Sequence, residues 1–512
     1  MPIITRNMRI HNARQFKEAF SETNDTKMYV FIGRSDAWAN DALPPTPVDS
    51  VQATDYDIYK TMITAKKISQ SDVEFVVPRN NWLANTVYHE FQTADTGLYS
   101  NNFYVVTDTF NVYKCIFNVN NSPSTVKPTS TNVSGIFKTA DGYLWKYMYT
   151  IDAAERLKFV NTNFIPVKEI TEDDGSAQWN VQQAAANGTI GAIDVSTRGT
   201  GYKKNESTFA AVTNSSVMTA NSSANSTQGL YTGSNIFIKS GLGAGQIRTI
   251  NNYNGTTKQL ILSSGFSITP NTSSTYLISP KVTVSGDGNG AQAYAEVYSN
   301  GAVSNVTIIS GGVNYSTATV TISANSSHGT GATAVAYVPP KNGHGSSALY
   351  ELGGHNVMIN SRLAPDDLPG FSNADFRIVG VLQDPVLQTT GAISNNSTLN
   401  MTTRIKINTA SGTFTEDEFV NGNSSSASGR IVLFANTNLA GTEGNLYLNE
   451  ISGSFSNGET LTANQSGVTA ITDGIFAKDI QDFSGRVVYV DNVSQIIRAV
   501  DQLEDIKLTL RF

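Results

Sequence analysis

The stretch FYVVTDTFNVYKCIFNV, residues 103–119, shows the pattern on which the fold of this chain depends. β-branched and aromatic residues dominate both of its ends, and turn-forming residues lie between them near Asp108–Asn111. Such a sequence is typical of a β-hairpin. Similar strand-like runs, MYVFIG, EFVVPR and GYLWKYMYTI, occur on either side of it, so the sequence predicts a mainly β protein.

The composition favours the same class. Hydrophobic residues make up 39% of the 512 and charged residues only 15%. Asn, Ser, Thr and Gly fill the difference, and they suit strands and turns better than helix interiors. One short helix is predicted in NARQFKEAFSE, residues 12–22, with Asn12 as its cap. A second helix is predicted between Asp55 and Ser71.

Charge and cysteine content exclude several classes of protein. A net charge of −7 and a pI near 5.4 argue against a nucleic-acid binder, which needs a basic face. No apolar run approaches the ~20 residues that span a bilayer, so no membrane insertion is expected. The first residues lack the apolar core of a signal peptide, which indicates assembly in a cytoplasm. The single cysteine, Cys115, excludes an internal disulfide and is expected to be a buried strand residue.

Composition also changes along the chain, in a way that predicts a core interrupted by two insertions. The insertions are rich in Gly, Asn, Ser and Thr, whereas the core segments carry the strand-like runs. The predicted fold is an antiparallel β-sandwich core with a short N-terminal helix and two inserted β-modules. Its divisions are an N-terminal arm and helix (1–27), the first core part (28–175), an inserted module (176–354), the second core part (355–390), a smaller inserted module (391–479) and the C-terminal core strands (480–512).

Each inserted module contains an internal repeat. In the first, GTIGAIDVSTRGTGY (188–202) matches GAVSNVTIISGGVNY (301–315), and each copy predicts a strand, a glycine turn and a tyrosine. In the second, FTEDEFV (414–420) matches FSNGETL (455–461). Residues 203–229 are so rich in Asn, Ser and Thr that they are predicted to form a loop outside the core.

No pattern in the chain points to catalysis, a cofactor or a metal. The five histidines form no zinc-protease motif; they are His11, His89, His328, His344 and His355. His344 and His355 flank a glycine-rich segment, where turn residues are expected rather than a weak metal site. A glycan hydrolase needs two carboxylates about 5–9.5 Å apart. The candidate pairs, Asp366/Asp367 and Glu416/Glu418, lie on polar turns.

The segment GRSDAWANDALPPTPVDS, residues 33–50, is the strongest candidate for a functional surface. Its prolines restrict the backbone, and its arginine can grip a carboxylate with two hydrogen bonds. The segment therefore predicts either a protein–protein contact or a brace within the fold. The candidate residues are Arg34, Trp38, Pro44, Pro45, Pro47, Arg79 and Trp82. Arg34→Ala is expected to weaken assembly more than it lowers the melting temperature.

Five segments together resemble one protein family. FIGRSDAWANDALPPTPVDSV, VVPRNNW (76–82), DGYLWKYMYTI (141–151), FRIVGVLQDPV (376–386) and the C-terminal residues 485–512 resemble, in the same order, the gene-product-eight subunit of the baseplate wedge in contractile-tailed, T-even-like phages. The resemblance implies a non-enzymatic, mostly β subunit of the virion. It also implies a homodimer that binds other wedge proteins around a central hub and rearranges when the sheath contracts.

The two insertions have no counterpart in that resemblance, so two other functions stay open. The chain could be a receptor-binding or fibre-type protein whose modules bind host surface glycan, or contact a tail fibre. A glycan hydrolase is the third alternative, without a motif to support it.

Overall fold

Strands account for 42% of the protein and helices for 10%. The computed structural model describes residues 3–22, 26–119, 121–323, 329–365 and 374–512. Neighbouring strands in the sheets below run antiparallel. The predicted mainly β, antiparallel fold with a short N-terminal helix is therefore confirmed.

Helical segments are short. The first one begins at Arg6, because the Thr5 hydroxyl accepts a hydrogen bond from the Met8 amide at 3.4 Å; the prediction of a start at Asn12 was too late. The α-helices are Arg6–Glu18, Tyr59–Thr61, Ala153–Phe159, Ala177–Gln183 and Ala348–Leu352. A π-helix spans Gln52–Ile58, and 3₁₀ turns span Gln70–Asp72 and Leu98–Ser100.

The second predicted helix is wrong over half of its length. Its first part is helical, but Met62–Lys67 is a strand. This strand pairs with Met28–Gly33 on one side and Thr398–Asn400 on the other. Four of its residues are buried, so sheet packing outweighs the local helical preference.

The chain forms two compact units, and each is assembled from separate stretches. The first unit comprises Met1–Val76, Ala154–Asn161 and His355–Phe512. The second comprises Val77–Ala153 and Thr162–Gly354. The division into a core and two insertions uses other boundaries and stays a prediction.

The first unit contains two open sheets. The five-stranded sheet has the order Thr398–Asn400, Met62–Lys67, Met28–Gly33, Phe376–Gln383, Arg486–Ile496. The other sheet of this unit joins Glu504–Arg511, Asn356–Leu363 and Val73–Pro78. All six residues of Met28–Gly33 are buried, which makes this strand the centre of its sheet.

A closed six-stranded barrel completes the first unit. Its strands, in order around the barrel, are Thr403–Asn408, Gly444–Ser452, Ser428–Asn436, Phe419–Gly422, Thr460–Ala463 and Thr469–Phe476. Both copies of the second sequence repeat lie in it, and their strands Phe419–Gly422 and Thr460–Ala463 pair with each other. The repeat is thus a pseudo-two-fold pair.

The carboxylates of Glu418 and Glu459 show the same symmetry. Glu418 of the first copy accepts hydrogen bonds from the Ser466 amide at 2.9 Å and its hydroxyl at 2.8 Å. Glu459 of the second copy accepts them from the Ser425 amide at 3.0 Å and its hydroxyl at 2.9 Å. Each glutamate therefore fixes the turn that follows the strand of the other copy.

The second unit begins with a four-stranded sheet, in the order Tyr104–Val106, Asn111–Phe117, Leu144–Thr150, Ile136–Lys138. The predicted hairpin at 103–119 is confirmed, with Phe110 at its turn in the left-handed region. Cys115 is buried in the second strand of the hairpin, as predicted. A short strand, Phe164–Pro166, follows later in the unit.

The first sequence repeat also forms a reciprocal pair. Its strands form a four-stranded sheet, Val282–Gly286, Ala318–Ile322, Thr330–Tyr337 and Ala192–Thr200, and a two-stranded ribbon, Asn289–Val297 and Val303–Val313. The Tyr202 amide donates to the Gly301 carbonyl at 2.9 Å, and the Tyr315 amide donates to the Gly188 carbonyl at 3.2 Å. The tyrosine that ends each copy thus docks on the glycine that begins the other.

A seven-stranded sheet is inserted between strands of this repeat. Its order is Asn205–Thr208, Thr275–Ser279, Asn235–Ser240, Ile247–Asn254, Gln259–Leu262, Val217–Thr219, Ala211–Val212. The predicted loop over 203–229 is therefore wrong. Asn214 accepts hydrogen bonds from its own turn, at 2.9 Å from the Val217 amide, while Phe209 and Met218 reach the core. A few well-spaced apolar residues are enough to fold this polar stretch.

Candidate brace and assembly interface

Arg34 lies just after strand Met28–Gly33, and its side chain is buried, with 3% of the residue exposed. Its Nε and Nη2 atoms donate to the two carboxylate oxygens of Asp417, at 2.9 Å each. Nη1 donates to Glu416 and to the Val432 carbonyl, at 3.0 Å each. Arg34 therefore joins the five-stranded sheet to the barrel through a bidentate arginine–carboxylate pair.

Other charged residues extend this contact. Arg34 also forms an ion pair with the buried Asp375. Arg430 of the barrel lies 3.2 Å from Asp417 and 2.8 Å from Asp36, which follows Arg34 in the GRS segment. We call Arg34, Asp375, Glu416, Asp417 and Arg430 the arginine cluster. All five belong to the first unit.

The protonation states in the cluster favour a lasting ion pair. Burial alone would lower the pKa of Arg34, but the hydrogen bond to Asp417 and the nearby carboxylates outweigh it and raise that pKa. Burial opposes ionisation of Asp417 too, yet its bonds to Arg34 hold the pKa of the carboxyl below its usual value. The pKa of Glu416 is raised, because burial there outweighs the attraction of Arg34. The contacts of Arg34 thus fit a brace inside the fold.

The proline segment lies along an edge strand of the five-stranded sheet. Trp38 is half-buried, and its Nε1 donates to the Val493 carbonyl at 2.9 Å. The side chain of Asn492 donates to the Pro45 carbonyl at 2.8 Å. Pro44 and the following prolines limit the backbone between these two anchors. The segment is thus fixed from the inside.

Apolar side chains are exposed on the outward side of this segment and directly after it. Leu43, Val48 and Val51 are 75%, 67% and 73% exposed. Next to them in sequence, Tyr56 packs its ring 4.8 Å from that of Phe483, and both rings remain partly exposed. Exposed apolar residues on a rigid support are typical of a protein–protein contact.

Arg79 and Trp82 lie in the second unit and make local contacts. Nε of Arg79 donates to the Asn81 side chain at 2.9 Å. Nε1 of Trp82 donates to the Ser124 hydroxyl at 3.3 Å, and its ring packs against a cluster that contains Trp145. The structure does not bring these two residues together with Arg34 in one unit.

One buried charged pair was missed at the level of sequence. Lys114, on the hairpin, forms an ion pair with Glu351, and its ammonium lies 4.1 Å from the centre of the Phe91 ring. The Gly345 amide also donates to Glu351, at 2.8 Å. Burial outweighs Glu351 and lowers the pKa of Lys114. The only signal was a lysine at an apolar position of a buried strand.

Among the described residues, the histidine and carboxylate candidates are not grouped into a reactive site. His344 is buried, burial lowers its pKa, and its ring nitrogens have no hydrogen-bond partner among the described residues. His355 belongs to the other unit. The Glu418 carboxylate accepts a hydrogen bond from the Ser466 amide, and the Glu416 carboxylate accepts one from Arg34. His328 and the Asp366/Asp367 pair lie outside the described residues. Across the described ranges, no three His, Cys, Asp or Glu residues are grouped as a metal site would require.

Comparison with known families places the arginine and proline segments in context. Residues 2–127 match the family described as Bacteriophage T4, Gp8. The match covers about a quarter of the 512 residues. This match confirms the resemblance to gene-product-eight baseplate proteins and supports a structural role in a phage baseplate. It includes all seven candidate residues of the brace and interface. No curated protein matches the chain. Among the described helices, none has the length and hydropathy to cross a membrane.

Proposed function

We propose that this chain is a structural, non-enzymatic subunit of the baseplate wedge in a contractile-tailed phage. It forms a dimer, binds other wedge proteins around the central hub and rearranges with them as the sheath contracts. It assembles in the host cytoplasm and ends in the tail baseplate of the virion. The Gp8 match over residues 2–127 carries this proposal.

The proline segment supplies the contact with a wedge partner. Its inner side is anchored through Trp38 and Pro45, so the backbone that carries its exposed apolar residues loses little conformational freedom on binding. Leu43 and Val48 are the apolar anchors of this surface. A stable interface in an obligate assembly buries about 2,000 Å² or more, so the segment forms one part of a larger contact.

Co-expression with the neighbouring tail genes tests this proposal. Leu43→Asp places a charge on the proposed surface and is expected to reduce co-purification of the wedge partners at least tenfold. Leu439→Asp is the matched control, because Leu439 is fully exposed in a barrel turn far along the chain. Equal recovery of partners with both variants would refute the proposed interface, and a lack of any partner with the unchanged chain would refute the wedge function.

We also propose an adhesive role for residues 205–279, which form the seven-stranded sheet and are called the seven-stranded module below. Its partner is a host surface glycan or a tail fibre. The module suits this role because its ends are neighbours: Asn205 pairs with Ile278 at one edge of the sheet. Replacing residues 205–278 by a short linker is expected to leave tail assembly intact and to abolish adsorption to the host. Unchanged adsorption would refute the adhesive role alone.

A further inference from the structure

A polar cleft of about 360 Å³ lies where the seven-stranded module faces the first repeat. One wall comes from strands Asn235–Ser240 and Ile247–Asn254 of the module, and the other from Val282–Gly286 and Asn289–Val297 of the repeat. Most of the lining residues are polar; those with hydroxyl or amide side chains include Asn235, Thr249, Ser263, Thr283 and Gln292. A cleft of this size and polarity suits a hydrated ligand rather than an apolar one.

Two aromatic rings stand beside the cleft. Asn235 and Phe237 point to the same side of their strand, opposite the buried Ile236. Gln292 and Tyr294 do the same on the facing strand. Phe237 and Tyr294 stack with centroids 4.5 Å apart and planes at 14°. The stacked pair therefore borders the end of the cleft at which Asn235 and Gln292 lie.

Two cations line the cleft. Arg248 is held by hydrogen bonds to the Gly265 carbonyl at 2.9 Å and the Ile247 carbonyl at 2.8 Å. Lys281 is half-buried and lies opposite Tyr294 in an antiparallel bridge. Within the described part of the chain, neither cation has an ion-pair partner, and no lining residue carries a carboxylate. This positive charge is therefore not neutralised within the cleft.

Acidic residues lie beyond the aromatic pair, not in the cleft. Lys239 follows Phe237 two residues later on the same strand. Its Nζ lies 2.5 Å from a carboxylate oxygen of Glu206. The hydrogen bond to Glu206 raises the pKa of Lys239, and Glu296 adds to the effect. An anionic ligand would thus meet favourable charge from Arg248 and Lys281 at the cleft and unfavourable charge beyond the rings.

We propose that this cleft binds an anionic saccharide, with its charged substituent toward Lys281 and Arg248. Sugar hydroxyls can exchange hydrogen bonds with the Asn, Gln, Ser and Thr side chains, which both donate and accept. The rings of Phe237 and Tyr294 offer an apolar edge for the carbon face of a sugar. The inference rests on the adhesive role proposed for the module and identifies the ligand class as a charged surface polysaccharide.

Calorimetric titration of the full chain with three oligosaccharides tests the proposal. The probes are a hexamer of galacturonic acid, a sulfated glucose hexamer and neutral maltohexaose. At least one charged hexamer is expected to bind, with an affinity that falls as salt is raised, because salt screens the charge contact. Maltohexaose is expected not to bind measurably. Binding of maltohexaose as tight as that of the charged hexamers, or no binding of either charged hexamer, would overturn the proposal.

Two variants locate the site. Lys281→Gln is expected to weaken binding of the charged hexamer about two- to fivefold, the range of a partly exposed ion pair. Lys258→Gln removes the same charge from the turn at the opposite end of the hairpin Ile247–Asn254/Gln259–Leu262 and should leave binding unchanged. Equal losses would mean non-specific attraction and overturn the site. If excision of 205–278 abolishes adsorption but no charged hexamer binds, the adhesive role stands and this ligand assignment fails.

Discussion

Replacing Arg34 by alanine is expected to destabilise the first unit strongly. Breaking a buried ion pair by removing one partner costs about 3–5 kcal/mol. Of the carboxylates left behind, Asp375 is 8% exposed, whereas Asp417 and Glu416 are 38% and 41% exposed and regain water. We therefore expect a loss at the lower limit, about 3 kcal/mol.

Hydrogen exchange followed by mass spectrometry measures this loss in the strands that the cluster joins. A loss of 3 kcal/mol corresponds to exchange about a hundredfold faster in Met28–Gly33 and Ser428–Asn436. Arg362→Ala is the control. It breaks an equally bidentate pair with Asp505, at 2.8 Å for both bonds, but on the surface. If amide exchange accelerates equally in both variants, burial is not what makes the Arg34 pair stabilising. If the exchange rate in Arg34→Ala does not change, Arg34 does not brace the fold.

Three further predictions concern buried carboxylates. Glu418→Gln and Glu459→Gln should lower the stability of the barrel by similar amounts, because the two carboxylates occupy equivalent turns. Amide hydrogen exchange of the barrel strands, followed through a urea titration, measures both losses. Unequal losses would show that the two turns do not contribute equally to stability. Burial opposes ionisation at both sites, but amide and hydroxyl donors outweigh it and lower both pKa values. Their contribution to stability should thus be complete above pH of about 4.3 and decline as pH falls through the lower folded-state values, an effect that both Gln variants should reduce. Glu351→Gln should destabilise the second unit by about 3–5 kcal/mol, because it leaves the fully buried Lys114 without its carboxylate partner. The double variant Lys114→Met/Glu351→Gln should lose less stability than Glu351→Gln alone. Thermal melts in which the losses of the two single variants add up in the double variant would contradict this coupling.

The sequence predicted the class of fold because strand periodicity and turn residues are local signals. The hairpin at 103–119 and the burial of Cys115 followed from them. The polar stretch 203–229 misled the prediction, because Asn and Ser there bind their own turns while few apolar residues fill the core. The strand Met62–Lys67 was mistaken for helix because its neighbours come from distant parts of the chain.

The candidate site was found only in part for the same reason. The proline segment and its arginine were visible in the sequence, but the partners of Arg34 lie more than three hundred residues away. The sequence could not show that these partners are internal, and on sequence alone Arg34→Ala is a test of assembly. The buried contacts now predict that the fold itself suffers first. The cleft beside Lys281 could not be found at all, since it forms only when two strands from a module meet two from a repeat.

The central claim is that this chain is a wedge subunit of a phage baseplate. Native mass spectrometry and electron microscopy of the chain co-expressed with its neighbouring tail genes test it most directly. We expect complexes that contain two copies of this chain and that assemble into a six-fold ring. A free monomer or trimer that ignores those partners would contradict it.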